Sequence, residues 1–182
     1  MAFHHLALAT RDARATHVFY TEAMGFELVR TVVGPTPAGG WAKHFFYETG
    51  GGELMAFWEL HDESLPEDYP VALSTGIGLP EWVNHVAFGA SDLADLERRR
   101  ERLLSAGYGV MEIDHGWCHS IYTRDPNGTL VEFCTTTREL DAEDRSRALA
   151  ALRDPNPPLE SPGKRPKFFE ASGKPAHLRS VG

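Results

Sequence analysis

The chain has 182 residues, 42% of them hydrophobic, enough for one compact domain or two small ones. A formal net charge of -8 argues against nucleic acid or an anionic membrane as partner, but leaves a small-molecule ligand open because a local field can oppose the total. Two cysteines, Cys118 and Cys134, are too few for a disulfide framework; with no basic leader before an apolar run and no stretch of about 18 apolar residues, a cytoplasmic location is expected.

Phe3 to Thr10 reads as a strand and Asp12 as the N-cap of a helix over Ala13 to Met24, in which Ala15, Val18, Phe19 and Met24 recur at helical spacing. Gly25 supplies the stop, and strands over Phe26 to Val33, Trp41 to Glu48 and Glu53 to Leu60 follow, divided by glycine-rich turns. The acidic, Pro- and Gly-containing stretch 61–81 reads as a connection. The order then repeats. Asn84 to Ala90 is a strand, and Asp92 caps a helix over Leu93 to Ala106 with Leu93, Leu96, Leu103 and Leu104 on one side. Strands over Val110 to Asp114, Cys118 to Thr123 and Thr129 to Thr136 follow, the last entered through the turn Asp125-Pro126-Asn127-Gly128.

The expected class is therefore α+β: two paired β-α-β-β-β modules, residues 1–60 and 82–138, and an irregular C-terminal tail over 139–182. In that tail Asp141 to Arg153 is helical. Pro155 to Gly182, rich in Pro, Gly and basic residues, is either an extended arm packed on the body or a partner, or disordered.

The repeat is visible at residue level. His5 and His85 are each followed by three apolar residues and, seven positions on, by Asp12 and Asp92. Strand side chains alternate, so His5 and His4 point to opposite faces; Asn84 stands where His4 would, which favours His5 as the functional one. In the closing strand Leu130, Glu132 and Cys134 share a face. A carboxylate there, flanked by apolar residues, needs a compensating partner, and a metal ion would provide one. Two imidazoles and one carboxylate on separate strands make a 2-His-1-carboxylate set with open positions, the pattern of non-haem Fe(II).

These motifs, together with Phe19-Tyr20 before Gly25-Phe26 and the Asp125 turn before Val131-Glu132-Phe133, resemble the vicinal oxygen chelate superfamily over about Phe3 to Arg138. That superfamily includes glyoxalase I, bleomycin- and fosfomycin-resistance proteins, methylmalonyl-CoA epimerase and type I extradiol dioxygenases. The resemblance implies an open, cup-shaped mixed sheet, with His5, His85 and Glu132 as metal ligands. The fourth ligand position of the isomerases falls near Ala56, which cannot bind metal; Glu53 and Glu59 have the opposite strand parity. Three ligands imply the dioxygenase or fosfomycin-resistance pattern.

Tyr122, ten residues before Glu132, resembles the active-site Tyr of extradiol enzymes, and His115-Gly116 resembles their His-Gly segment, with His119 as fallback. Their acid-base His would fall near Glu53, where none stands; His44 and His61 do not match the motif. The implied activity is an Fe(II)-dependent extradiol-type dioxygenase of aromatic catabolism, taking a catechol-like substrate and O2, with Tyr122 and His115 catalytic. Phe45, Phe57 and Trp117 are candidates to line the ring pocket. The alternatives are a glyoxalase-like lyase or isomerase, or a fosfomycin-type thiol transferase, using Mn(II) or Zn(II), and a non-catalytic module that binds an aromatic drug. A homodimer is expected.

Overall fold

Alternating apolar strands and three capped helices make up the described residues of the computed structural model, 3–159, 164–173 and 175. Strand β1 (His5–Thr10) leads into α1 (Ala13–Val18), which widens into a π-helical turn over Phe19–Ala23. Two carboxylates satisfy the first N–H groups of α1. Asp12 accepts from Ala15 at 2.8 Å, and Glu59 accepts from Ala13 at 3.0 Å. Gly25, at φ 82°, takes the left-handed conformation that ends the segment.

Strands β2 (Glu27–Pro35), β3 (Trp41–Glu48) and β4 (Leu54–His61) complete a sheet of order β1-β4-β3-β2, with β1 parallel to β4. The same plan follows in β5 (His85–Gly89), α2 (Leu93–Ser105), β6 (Val110–Asp114), β7 (Cys118–Arg124) and β8 (Leu130–Thr136), giving the order β5-β8-β7-β6. Helix α3 (Ala142–Arg153) comes next, and the short β9 (Lys167–Phe169) adds antiparallel to β6. The α+β class with two β-α-β-β-β modules is what the sequence folds into. Part of the tail is thus an arm on the second sheet; three residues of strand among prolines and basic residues carry no period by which they could be recognised. His177 lies outside the described residues.

Each sheet turns one face to the helices. Phe45, Tyr47, Met55 and Phe57 from the first sheet and Ile121, Val131 and Phe133 from the second enclose Phe19, Tyr20, Leu96 and Leu103 in one core. Phe26 bridges the modules, its ring 4.9 Å from Phe88 and 6.1 Å from Phe133. Arg102 of α2 donates to the carbonyls of Glu22 (2.7 Å) and Thr21 (3.0 Å), capping the end of the first helical segment. Leu93 departs from the expected apolar side of α2: at the first helical position it stands half in solvent.

The Asp125–Gly128 turn is a second bridge. Asp125 accepts from its own turn, at the N–H groups of Asn127 and Thr129, and from Tyr20 Oη across the module boundary at 3.2 Å. Asn127 receives the Thr10 hydroxyl at 2.7 Å and donates to Thr16 Oγ1 at 3.2 Å.

Phe26→Ala should cost about 3–5 kcal/mol through the cavity it opens. Asn127→Ala should cost about 1–3 kcal/mol by leaving the buried Thr10 and Thr16 hydroxyls short of partners. Urea unfolding checks both, as a lowered midpoint at unchanged slope. Glu59 gives a pH-dependent case. Burial alone would raise its carboxyl, but Lys43 (2.7 Å), His61 (3.0 Å) and the Ala13 amide together hold it below its ordinary value of 4.5. A depressed carboxyl stabilises above its unfolded value and loses that contribution as the pH falls. Glu59→Gln should therefore cost about 1–3 kcal/mol at neutral pH, and the gap to wild type should close as unfolding is repeated below pH 4.5.

Candidate functional site

The faces turned away from the core carry the candidate residues. In the second module β8 lies between β5 and β7, so Glu132 is central and buried. Register places Ala87 and Tyr122 on either side of it, and His85 Nε2 reaches its carboxylate at 3.1 Å. Tyr122 stands on the same face and hydrogen-bonds His115 Nε2 through its hydroxyl at 3.0 Å. The hairpin between β6 and β7 sets that contact. Gly116 takes φ 84°, its N–H donates to Asp114, and the His115 N–H donates to the Cys118 carbonyl at 2.9 Å. Burial and then the nearby Glu132 push the Tyr122 phenol well above its ordinary value, so it stays protonated and available as a donor. Four expected residues, His85, Glu132, Tyr122 and His115, thus form one row.

His119 is not part of the row. Its ring bonds Glu112 at 3.2 Å on the opposite face, where Arg100 and Lys167 also hold that carboxylate. Cys118 lies near the row, and burial and then Cys134 push its thiol up to about 12, which favours the protonated thiol.

The first module repeats the register with different side chains. Ala7 pairs with Ala56 as Ala87 pairs with Glu132, and Phe46 pairs with Ala56 as Tyr122 pairs with Glu132. Ala56 therefore occupies the position equivalent to Glu132. His5, at the start of β1, hydrogen-bonds His4 at 2.8 Å and lies 5.6 Å from the Phe46 ring and 6.2 Å from the His44 ring. His44 stacks on Trp58 at 3.8 Å, and its buried Nε2 has no hydrogen-bond partner. Burial and then His5 lower its basicity, so it is neutral at neutral pH. Sequence reasoning left His44 aside because it does not match the family motif, and its alternation with Lys43 and Phe45 does not say which way it points. Phe45 and Phe57 belong to the core, so the apolar surface beside His5 is Phe46 and Trp58 instead. His61 pairs with Glu59 and stacks on Trp41 at 3.8 Å.

The structure does not bring His5 to His85 and Glu132 within one chain. Among the described residues no three His, Cys, Asp or Glu side chains converge on a point for a metal ion, and no strand pairing joins the two sheets. Both histidines lie on edge strands, β1 and β5, and both are exposed.

Residues 2–133 match the family model described as the Glyoxalase/Bleomycin resistance protein/Dioxygenase superfamily, and the chain belongs to that superfamily. No curated protein matches it. Among solved structures it is similar to a glyoxylase/bleomycin resistance protein/dioxygenase domain from Frankia sp. EAN1pec. That likeness has 20% identity and TM-score 0.57, over 75% of this chain and 98% of that one. It is also similar to TnmS3, an antibiotic binding protein from Streptomyces sp. CB03234 (14%, TM-score 0.52, 75% and 97%). A third is FosX, a fosfomycin resistance protein from Listeria monocytogenes (18%, TM-score 0.52, 80% and 98%). At these identities the likeness concerns the fold. No helix among the described residues is long and apolar enough to cross a membrane.

Glu132→Gln keeps the shape of the side chain but removes its charge. It should weaken Zn(II) binding, measured by calorimetry on metal-stripped protein, by more than about 100-fold while leaving the unfolding midpoint close to wild type.

Proposed function

We propose that this chain is a metal-dependent oxidoreductase of the extradiol type, which cleaves a catechol-like aromatic with O2 at a centre completed by a second copy of the chain. The observation that carries the reading is the row His115, Tyr122, Glu132 and His85, in which a hydrogen-bonded Tyr–His pair stands beside an imidazole–carboxylate pair.

The donor set fits a divalent ion. Glu132 is a buried carboxylate whose described ion-pair partner is an imidazole, and the first module offers a further exposed imidazole at the matching position of β1. His85, Glu132 and His5 of the partner subunit would hold Fe(II), with Mn(II) or Zn(II) as alternatives. That ion would supply Lewis acidity and, for iron, one-electron chemistry towards O2. Edge strands β1 and β5 carry the two histidines. Pairing β1 of each copy with β5 of the other would close a two-fold dimer with two equivalent sites.

In the assembled site the Tyr122 phenol donates to a substrate oxygen. His115, exposed at the hairpin, exchanges protons with solvent and relays them through that phenol. Phe46 and Trp58 offer the ring an apolar wall. Ala56 speaks against a four-ligand isomerase. A second reading, a binding protein for an aromatic antibiotic, is favoured by the separation of the ligands within one chain and by the similarity to TnmS3.

Two measurements test the proposal. After anaerobic loading with Fe(II), a catechol panel should give O2 uptake and a yellow ring-fission product; bound iron with no uptake across the panel would remove the dioxygenase claim and leave a metal site. Mixing His5→Ala with Glu132→Gln protein should restore about one working metal site per mixed dimer, since each site takes one module from each copy. No restoration after subunit exchange would place both modules of a site in one chain.

A further inference from the structure

Helix α3 lies outside the segment that matches the family model, and it flanks an open cleft of about 1020 Å³ beside the β6–β7 hairpin. This is the size of a cleft for a drug-sized ligand. One wall is apolar, made by Trp117 and Leu140, both partly exposed. The other carries Arg138, Arg145 and Arg147 against Asp144 and Asp154, a net positive lining in a chain whose total charge is -8.

The three arginines are not equivalent. Arg138 is committed to Asp144 by a two-pronged pair at 2.6 and 2.9 Å, and Asp144 in turn belongs to the capping box of α3. Arg147 lies 3.5 Å from Glu143 and 3.9 Å from Asp144. Arg145 donates to the Leu140 carbonyl at 3.1 Å and has no carboxylate partner among the described residues, so its charge is available. His115 connects the cavity to the chemistry. It lines this space while its Nε2 holds the Tyr122 hydroxyl.

We infer that this cavity is a recognition site for an aromatic carboxylate, whose ring covers Trp117 and Leu140 and whose carboxylate is read by Arg145. The assignment of the cavity to substrate recognition rests on the reading of His115 and Tyr122 given above; the binding itself needs no metal. The exposed apolar wall supplies the burial, and an arginine without a partner supplies the charge-assisted hydrogen bond that distinguishes an acid from its neutral analogue.

The test uses metal-stripped full-length protein and calorimetric titration with 2-naphthoate and its neutral counterpart 2-naphthamide. The acid should bind about ten-fold more tightly than the amide. Arg145→Gln should abolish that difference while leaving the amide unchanged, Trp117→Ala should weaken both, and His85→Ala should alter neither. Equal binding of the two probes, no binding of either, or an unchanged preference in Arg145→Gln would overturn the assignment. Loss of the preference in His85→Ala would also overturn it, by placing the carboxylate at the His85–Glu132 pair. Because these titrations contain no metal and no O2, a catechol panel without turnover would leave their outcome standing.

Discussion

The fold depends on one buried turn reaching across a boundary. Asp125 is held by two backbone amides of its own turn and by Tyr20 of the other module, and Asn127 fills the remaining gap between Thr10 and Thr16. Burial pushes the Asp125 carboxyl upward, and those converging donors act against that shift. The turn immediately precedes β8, which carries Glu132, while Thr10 ends β1, which begins with His5. One polar knot therefore fixes the strands that carry His5 and Glu132 relative to one another. Backed by the Phe26 cluster, it leaves the modules little freedom to swing their outer faces together.

That rigidity explains how the candidate site is divided. The half built on β5, β7 and β8 carries a carboxylate, an imidazole, a phenol and a second imidazole in one row. The half built on β1, β3 and β4 contributes imidazoles and aromatic rings but no carboxylate. Two unlike halves on one chain, each beside an open strand edge, have the form required for reciprocal pairing.

Much of this was legible in the sequence, and the reasons are physical. Period-two alternation put Glu132 on the face opposite Val131 and Phe133, and the repeated His-to-Asp interval marked His5 and His85 as equivalents. The strand register then places Ala56 opposite Ala7, as Glu132 lies opposite Ala87, so the positional equivalence of Ala56 and Glu132 was visible from the turn alignment alone. His115 was preferred to His119 on its glycine, and that glycine makes the hairpin that turns His115 back to Tyr122. What could not be read were features set by tertiary packing. The facing of His44 depends on which of two adjacent phenylalanines enters the core. The wide turn after Val18, the role of Asn127 between Thr10 and Thr16, and the three-residue strand at Lys167 carry no local period.

That last strand has a consequence for how the molecule avoids unlimited growth. β9 covers the rim of β6 and becomes the new edge of the second sheet, a strand of only three residues whose Lys167 is tied to Glu112. An edge so short and carrying a lysine is a poor template for a further strand, which leaves β5 as the more receptive side. Without the arm the five-residue β6 would be the rim instead, a longer template for pairing with another chain and a route to open-ended growth.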